Sequence, residues 1–458
     1  MNQGLTIVPP LVVGEALRRL EARGFQAWCV GGCVRDSLLG KAPSDWDIAT
    51  SALPQETKAC FAGERLVEAG AAHGTIAWVP SGDQPIEITT FRSDGAYTDG
   101  RHPDSVAFSR RLEDDLSRRD FTVNAMAWHP QRGLVDLFHG QEDLSAGLLR
   151  CVGEPARRFS EDALRTLRCL RFSSQLGFAI HPDTARALWE KRELLLALSH
   201  ERVREELTKL LCGQGAAAVL RQYAAVVFTV LPELAPMKGC AQETPYHCFD
   251  VWEHTLHAVD YAPQQGDLRW AALLHDAGKP GRKTRSADGV AHFYGHPPES
   301  GRIARQLLTR LRFSNKERDW IAALVDHHED AMPMGEAHLK GLLGRYGERF
   351  VFTLFQLQEA DMSAKAPGVF ARRLPDLEES RALARAILER GDCLTLGDMA
   401  LTGEDLKALG VAPGPEMGKL LRRLLAVSMR KNLSLSQRIF CTTPKTVRGR
   451  PLAYFSAQ

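Results

Sequence analysis

The sequence lacks several features that would assign its class at once. No apolar window approaches the ~20 residues that a membrane-spanning helix needs, and Met1 to Pro10 has no basic segment followed by an apolar run. A secretory leader is therefore not read, and the chain is expected in the cytoplasm with no membrane partner. Its ten cysteines contain no CxxC pair; the closest two, Cys29 and Cys33, lie in an apolar, Gly-rich stretch. They read as reduced, packed thiols and not as a zinc or redox motif. Charge of one sign is not in excess either: 58 Lys and Arg face 56 Asp and Glu, a formal net charge of +2. Any surface for nucleic acid must then be local. No repeat of fixed period and no low-complexity tract is found.

What is present is an ordinary globular composition, 44% hydrophobic and 25% charged, in 458 residues. That length exceeds one core and implies about three or four modules. A helix is expected over residues 11–23. The apolar run Ala27 to Val30 then breaks at Gly31-Gly32, as a strand entering a turn and a further helix. Asp45 to Ala49 and Ile86 to Thr90 alternate as half-buried strands do. After Gly153 the segments 156–176, 183–198, 202–211 and 216–231 carry helical periodicity with little β signal. The expected class is therefore α+β: a mixed α/β head followed by helices.

The first chemical constellation lies in the head. In Gly31-Gly32-Cys33-Val34-Arg35-Asp36 the glycines let backbone N–H groups approach a phosphate, and Arg35 adds fixed positive charge. Asp45 and Asp47 flank Trp46 on a predicted strand, so their side chains project from one face. Two carboxylates on one face repel each other unless a cation lies between them, and hard Mg²⁺ prefers oxygen ligands of this kind together with substrate phosphate. Glu87, on a second strand, is a candidate to complete the set. Arg118-Arg119-Asp120-Phe121-Thr122-Val123-Asn124-Ala125 supplies guanidinium and amide donors suited to phosphate and ribose oxygens.

Asp162, Arg165, Arg168 and Arg171 recur every third residue on a predicted helix, spread over ~13.5 Å and about half its circumference. Ionised Asp only accepts hydrogen bonds and Arg only donates them. Cytosine and adenine both present an amino donor beside a ring-nitrogen acceptor, whereas uracil and guanine present the reverse. Asp162 accepting from the amino group and Arg165 donating to the ring nitrogen would admit C and A. It would leave U or G with unpaired buried groups, at about 1–3 kcal/mol each.

On these motifs the sequence resembles the bacterial class II CCA-adding enzyme and poly(A) polymerase family of the DNA polymerase β superfamily. The Gly31-to-Asp36 turn, the Asp45-Trp46-Asp47 strand and Arg118 to Ala125 stand in that family's order. The match continues through Asp136, Gly140, Asp143-Leu144, Glu161 to Arg165 and Glu201 to Leu207, covering about residues 25 to 210. The resemblance implies a polymerase-β-like head and template-independent addition or repair of the 3′ CCA of tRNA from CTP and ATP. It also implies catalytic Asp45, Asp47 and Glu87, with Mg²⁺ on Asp45 and Asp47. Nucleotide contacts would fall to Gly31, Gly32, Arg35, Arg119, Asp120, Asn124, Asp162, Arg165, Arg168 and Arg171, with Asp162 and Arg165 serving as a template made of amino acids. The polar segment Phe91 to Pro103 resembles the flexible loop of full CCA-adding enzymes. Alternatives within the family are a poly(A) polymerase or an enzyme adding only A.

A second constellation follows between Pro245 and about Lys365: His254, then His275-Asp276 after an apolar run, then His296, His327, His328 and Asp361. The pattern resembles the HD-domain metal phosphohydrolases. Carried over, the ligands are His254, His275, Asp276 and Asp361, flanked by His296, His327 and His328, with Lys279 and Arg282 near phosphate. The metal would be Mg²⁺ or a transition ion such as Mn²⁺, Ni²⁺, Co²⁺ or Fe. A further alternative is then an HD hydrolase whose head merely binds RNA. The segment from Leu401 to Met429 resembles the family's tRNA-holding tail, with Arg422-Arg423 and Arg430-Lys431 toward phosphates. The end after Thr442 carries Lys445, Arg448 and Arg450 without apolar periodicity and is expected to be mobile. The expected domains are the head at 1–145, a helical neck at 146–235, an HD body at 236–375 and a tail at 376–458.

Overall fold

A computed structural model describes residues 7–94, 106–399 and 401–430. Most of the loop-like segment 91–103 and the basic end after Thr442 lie outside the described residues. The chain divides into two compact units. The first comprises residues 1–236 with 264–269 and 306–315, and the second comprises 237–263, 270–305 and 316–458.

In the first unit the head strands are β1 (Ala27–Val30), β2 (Asp47–Thr50), β3 (Leu66–Val67), β4 (Thr75–Trp78), β5 (Ile86–Thr90), β6 (Arg92–Asp94), β7 (Val106–Phe108), β8 (Met126–His129) and β9 (Gly133–Asp136). Seven form one sheet in the order β3-β4-β5-β2-β1-β8-β9, and β6 pairs with β7 apart from it. Only β2 and β5 run parallel, with Asp47 in register with Glu87. The alternation read from the sequence holds in β5, where Ile86 and Ile88 are buried and Glu87 is exposed. Trp28, Val30, Ala49, Phe91, Leu112, Leu116 and Ala127 pack into one cluster under the sheet. Each large side chain there contributes about 1.5–3 kcal/mol by leaving water.

The helices that follow have readable ends. Pro155 opens the Pro155–Glu161 helix, and the Glu154 carboxylate accepts the Ala156 and Arg157 N–H groups. The Leu164–Leu176 helix stops at Gly177, whose φ of +73° suits glycine. The sequence predicts one helix through residues 156–176; instead it breaks at Asp162, with φ −140° and ψ 104°. The reason is local: the Asp162 Oδ1 turns back to accept the Leu164 N–H at 3.0 Å, a helix-starting role for which Asp is well suited. The Leu164–Leu176 helix packs against the His200–Leu211 helix. Two short pairs interrupt the helical region, Leu148–Leu149 with Ala179–Ile180, and Thr284–Arg285 with Ala291–His292.

The second unit is built mainly of helices. Asp250 caps the Val251–Tyr261 helix by accepting the Glu253 N–H. Further helices include Asn315–His327, Glu336–Tyr346, Glu348–Ser363 and Val369–Glu389, then Gly403–Ala408 and Pro415–Arg430. No helix among the described residues is long and apolar enough to cross a membrane. The nine described cysteines are all free.

Candidate active sites

In the head, β2 starts at Asp47 and not at Asp45 as the alternation predicts. Its ladder with β1 ends where Asp47 meets Val30, so Asp45 precedes the strand, exposed, accepting a hydrogen bond from Ser44 Oγ at 3.0 Å. The three acids still act on one another. Burial, then the charges of Glu87 and Asp45, push the Asp47 carboxyl up to about 6, with Arg119 opposing. A cation among these acids would relieve that repulsion, and this is the fit expected of a divalent-metal site built of oxygen ligands.

Arg119 is held against the cluster by Asp115, a fully buried carboxylate that takes Arg119 Nη2 at 2.9 Å and Arg118 Nη2 at 2.6 Å. Arg119 also lines the Gly31 turn. Gly31 has φ +77°, and a Cβ there would stand 2.9 Å from Arg119 Nη1. Glycine favours the backbone shape and leaves room for the Arg119 side chain. Gly32 begins the short helix Gly32–Leu38, which carries Arg35.

A buried polar chain runs on from there. Arg35 donates to Asn124 Oδ1 at 2.6 Å, and Asn124 donates to Asp120 Oδ1 at 3.1 Å. Arg168 donates to Asp120 Oδ2 through Nε at 2.8 Å and Nη2 at 2.6 Å. Burial alone would raise Asp120; Arg168, Asn124 and the Phe121 N–H outweigh it and bring the carboxyl down to about 2. Arg35, Arg168 and Arg171 all stand over the Phe172 ring, at 5.3, 5.4 and 4.1 Å from its centroid. Arg171 also pairs with buried Glu206 at 3.2 Å. Each of the three guanidiniums around the ring has a carboxylate partner, Arg35 with Asp36, Arg168 with Asp120 and Arg171 with Glu206, and Arg N–H groups not used in these pairs are donors suited to an anion's oxygens.

Asp162 and Arg165 do not lie on the single continuous helix that the sequence implies. Asp162 lies in the break, its Oδ2 3.6 Å from Arg202 Nη2. Arg165 is buried and donates to Glu161 Oε2 at 3.0 Å and to the carbonyls of Arg158 and Arg118 at 3.3 and 3.1 Å. Sequence reasoning missed Asp115, Phe172 and Glu206. The first was readable, since Asp115 lies three and four residues before Arg118 and Arg119 on a helical stretch.

The second unit holds a closed cluster. His254, His275, Asp276, Asp361, His296 and His328 are all buried. His254 Nε2 lies 3.0 Å from Asp361 Oδ1, 3.3 Å from His275 Nε2 and 3.4 Å from Asp276 Oδ2. On the other side, Asp276 Oδ1 lies 3.2 Å from His296 Nε2 and 3.6 Å from His328 Nε2. Two sets of ligand atoms thus form, His254, His275 and Asp361 in one and Asp276, His296 and His328 in the other, each within 4.8 Å. The two oxygens of Asp276 face both. Of the flanking candidates, His296 and His328 enter and His327 does not; it turns to Asp330. Arg282 pairs with Glu299 at 3.3 Å and is exposed.

The donor chemistry fits a metal. Each inward imidazole is anchored through Nδ1 to a carbonyl: His254 to Ala364, His275 to Ala272, His296 to Phe293 and His328 to Val325, at 2.7–3.1 Å. That leaves every Nε2 directed inward, the orientation metal-bound histidines take. Neither Asp276 oxygen accepts a hydrogen bond of sound geometry, although Lys279 Nζ stands 2.7 Å from Oδ2. Lys279 thus supplies charge, while lone pairs on both Asp276 oxygens remain to be filled. Lys365 Nζ is likewise 2.7 Å from Asp361 Oδ2. Gly278 follows Asp276 because a Cβ there would lie 2.6 Å from the Ser300 nitrogen and 2.8 Å from the His296 carbonyl. His247, unforeseen, stands edge-on to His254. Burial and then Lys279 take its pKa down to about 3, so the ring is neutral, and its Nε2 is buried without a partner.

An acid-bearing sheet beside an arginine wall is the frame of a nucleotidyl-transferring head, and family models agree. Residues 27–150 match the poly A polymerase head domain, 177–237 the probable RNA and SrmB-binding site of polymerase A, and 245–369 the HD domain. The CCA-adding enzyme of Leuconostoc mesenteroides is 50% identical over 409 residues, 89% of each chain. That of Lactiplantibacillus plantarum is 48% identical over 425 residues, 92% of each. The solved CCA-adding enzyme of Bacillus stearothermophilus, in complex with CTP, superposes with a TM-score of 0.71 at 30% identity, covering 93% of this chain and 94% of that one. The chain belongs to the CCA-adding enzyme family.

Proposed function

We infer that this chain is a template-independent tRNA nucleotidyltransferase. It adds or repairs the 3′-terminal CCA of tRNA from CTP and ATP and releases pyrophosphate. The observation that carries the reading is the head acid cluster, in which Asp47 sits in register with Glu87 on parallel strands and burial, then the charges of Glu87 and Asp45, push its carboxyl up to about 6. In this reading Asp45 and Asp47 hold Mg²⁺, with Glu87 completing the set. The metal supplies charge neutralisation at the attacking and leaving oxygens. Gly31, Gly32, Arg35, Arg119, Asp120 and Asn124 bind and orient triphosphate and ribose. Asp162 and Arg165 meet the base edge, after Arg165 releases Glu161 or a carbonyl, and Arg168 and Arg171 line the nucleotide. The 3′-hydroxyl of the growing end bonds to the α-phosphorus as the bond to the β-phosphate bridge breaks. Head 1–145, neck 146–235, HD body 236–375 and tail 376–458 are the working parts. Arg422 and Arg423, exposed on the Pro415–Arg430 helix, are placed to meet tRNA phosphates.

CMP incorporation into tRNA lacking its last three residues tests the roles. Asp45→Asn and Asp47→Asn should each lose at least about 100-fold, the cost of deleting one electrostatic contact to a transition state. Full activity in both would sink the assignment, and would favour an HD hydrolase with an RNA-binding head.

The inward Nε2 set supports a second reading, a metal-dependent phosphohydrolase at His254, His275, Asp276 and Asp361, joined by His296 and His328. A nitrogen-rich, buried donor set favours Mn²⁺, Ni²⁺, Co²⁺ or Fe over Mg²⁺. The substrate would be a phosphate or 2′,3′-cyclic phosphate on a damaged tRNA end, whose removal yields the 3′-hydroxyl that the head uses. No turnover of either with Mn²⁺, Ni²⁺ or Co²⁺ removes this reading.

A further inference from the structure

A third cluster in the second unit belongs to neither centre. His327 ends the Asn315–His327 helix. Its neighbour His328 faces the buried centre, and His327 faces the other way, toward Asp330 and His338. His327 Nδ1 lies 2.8 Å and His338 Nε2 2.7 Å from the same oxygen, Asp330 Oδ2. The three ligand atoms all fall within 4.8 Å of one another. Two imidazole nitrogens gathered about one carboxylate oxygen supply the donor types that a borderline divalent ion takes. With tetrahedral metal–ligand bonds of about 2.0–2.2 Å, neighbouring ligand atoms stand about 3.3–3.6 Å apart, so the two nitrogens must draw back from the Asp330 oxygen by about 0.5–0.9 Å.

The frame that would hold such an ion is already fixed. The Asp330 N–H donates to the His327 carbonyl at 3.0 Å, and the Asp330 carbonyl accepts from Gln358 Nε2 at 3.2 Å. His327 is braced edge-on by Tyr346 and Phe350, which stack on each other at 4.2 Å. His338 comes from a different helix, Glu336–Tyr346, and is 47% exposed, so an ion can enter and the ring can adjust. An open cleft of about 270 Å³ adjoins the trio, lined by His327, His338, Gly341, Arg345 and Tyr346 among others. Three protein ligands beside an open cleft leave a coordination position for water or a small anion, and Arg345 on the cleft wall favours the anion.

We propose that His327, Asp330 and His338 form a separate Zn²⁺-type site, with an open position that faces the Arg345 cleft and takes a small anion. The ion would tie the end of the helix that presents His328 to the Glu336–Tyr346 helix.

The test equilibrates the full chain with Zn²⁺, removes free ion and measures zinc per chain by mass spectrometry. It compares the wild type with His338→Ala, Asp330→Asn and His338→Cys, each checked for native circular dichroism. His338→Ala and Asp330→Asn should each carry one zinc fewer than the wild type. His338→Cys, which keeps a zinc ligand, should retain it. The difference does not depend on whether the Asp276 centre loads. Equal zinc in the wild type and His338→Ala overturns the proposal and leaves a hydrogen-bonded His–Asp–His network. If His338→Ala misfolds, loss of zinc from natively folded Asp330→Asn supports the site, and retention there overturns it.

Discussion

In the head, Asp45 and Glu87 are exposed and Asp47 is half-buried, and the acids crowd one another with a single arginine nearby. In the second unit six ligand side chains are buried and four imidazoles are aimed by carbonyls before any ion binds. The first arrangement is oxygen-only and open, as a site must be that shares its metal with a passing triphosphate and an RNA end. The second is nitrogen-rich and closed, as a resident metal requires. On the proposed reading, the same handful of residue types yields one site that its substrate completes and one that is complete beforehand.

That contrast can be broken at several points. Asp276→Asn should have the largest effect, at least about 100-fold in Mn²⁺ or Ni²⁺ affinity, because a carboxylate facing both sets outweighs the 10–100-fold typical of outer partners. Nucleotide addition should be unchanged; a parallel loss would mean that the two centres are coupled. Metal content and CMP incorporation, measured on one preparation, decide it.

Next comes selection. Arg165→Ala should cost about 1–3 kcal/mol of discrimination, roughly 5- to 150-fold in the ratio of kcat/KM for CTP over UTP, while retaining some transfer. A ratio equal to the wild type would remove Arg165 from base reading. The variant also removes one of the three arginines on Glu161 and a donor to two carbonyls, so its melting temperature is the control.

A subtler effect concerns pH. The folded Asp47 pKa, about 6, lies above its ordinary value. The group therefore favours the fold below its unfolded pKa, and this contribution is lost as pH rises through about 6. A cation must displace that proton. The Mg²⁺ needed for half-maximal transfer should rise about tenfold per unit below pH 6 and level off above it. A requirement flat from pH 5 to 8 would contradict the acid cluster as the metal site.

The smallest effect is expected of Gly31→Ala. A backbone at φ +77° and ψ −129° costs an L-residue about 1–3 kcal/mol, read as a lower urea midpoint. Its Cβ meets only the far end of Arg119, so the fold should survive with weakened nucleotide binding. A midpoint equal to the wild type would mean that the turn relaxes.

Much of this was legible in the sequence, and the misses have physical reasons. Gly31-Gly32 and Asp45-Trp46-Asp47 announce a turn and a pair of acids, but the start of β2 depends on where β1 ends, a tertiary fact that no local pattern carries. The three-residue spacing from Asp162 to Arg171 hides a break, although Asp before an apolar run is itself a helix-start signal. In the second unit His254, His275, Asp276 and Asp361 could be picked out by order. His327 and His328 are indistinguishable until the helix end gives each a direction. Lys365 was within reach, one helical turn after Asp361.

On the function proposed for the head, side chains, with no nucleic-acid template, choose C and then A. Incubating tRNA lacking its last three residues with each NTP alone and in pairs, and sequencing the products, tests it directly. CTP alone should add two C residues, CTP with ATP should complete CCA and stop, and UTP or GTP should add nothing. A lengthening A tail, or failure to extend any tRNA but one already ending in CC, would contradict it.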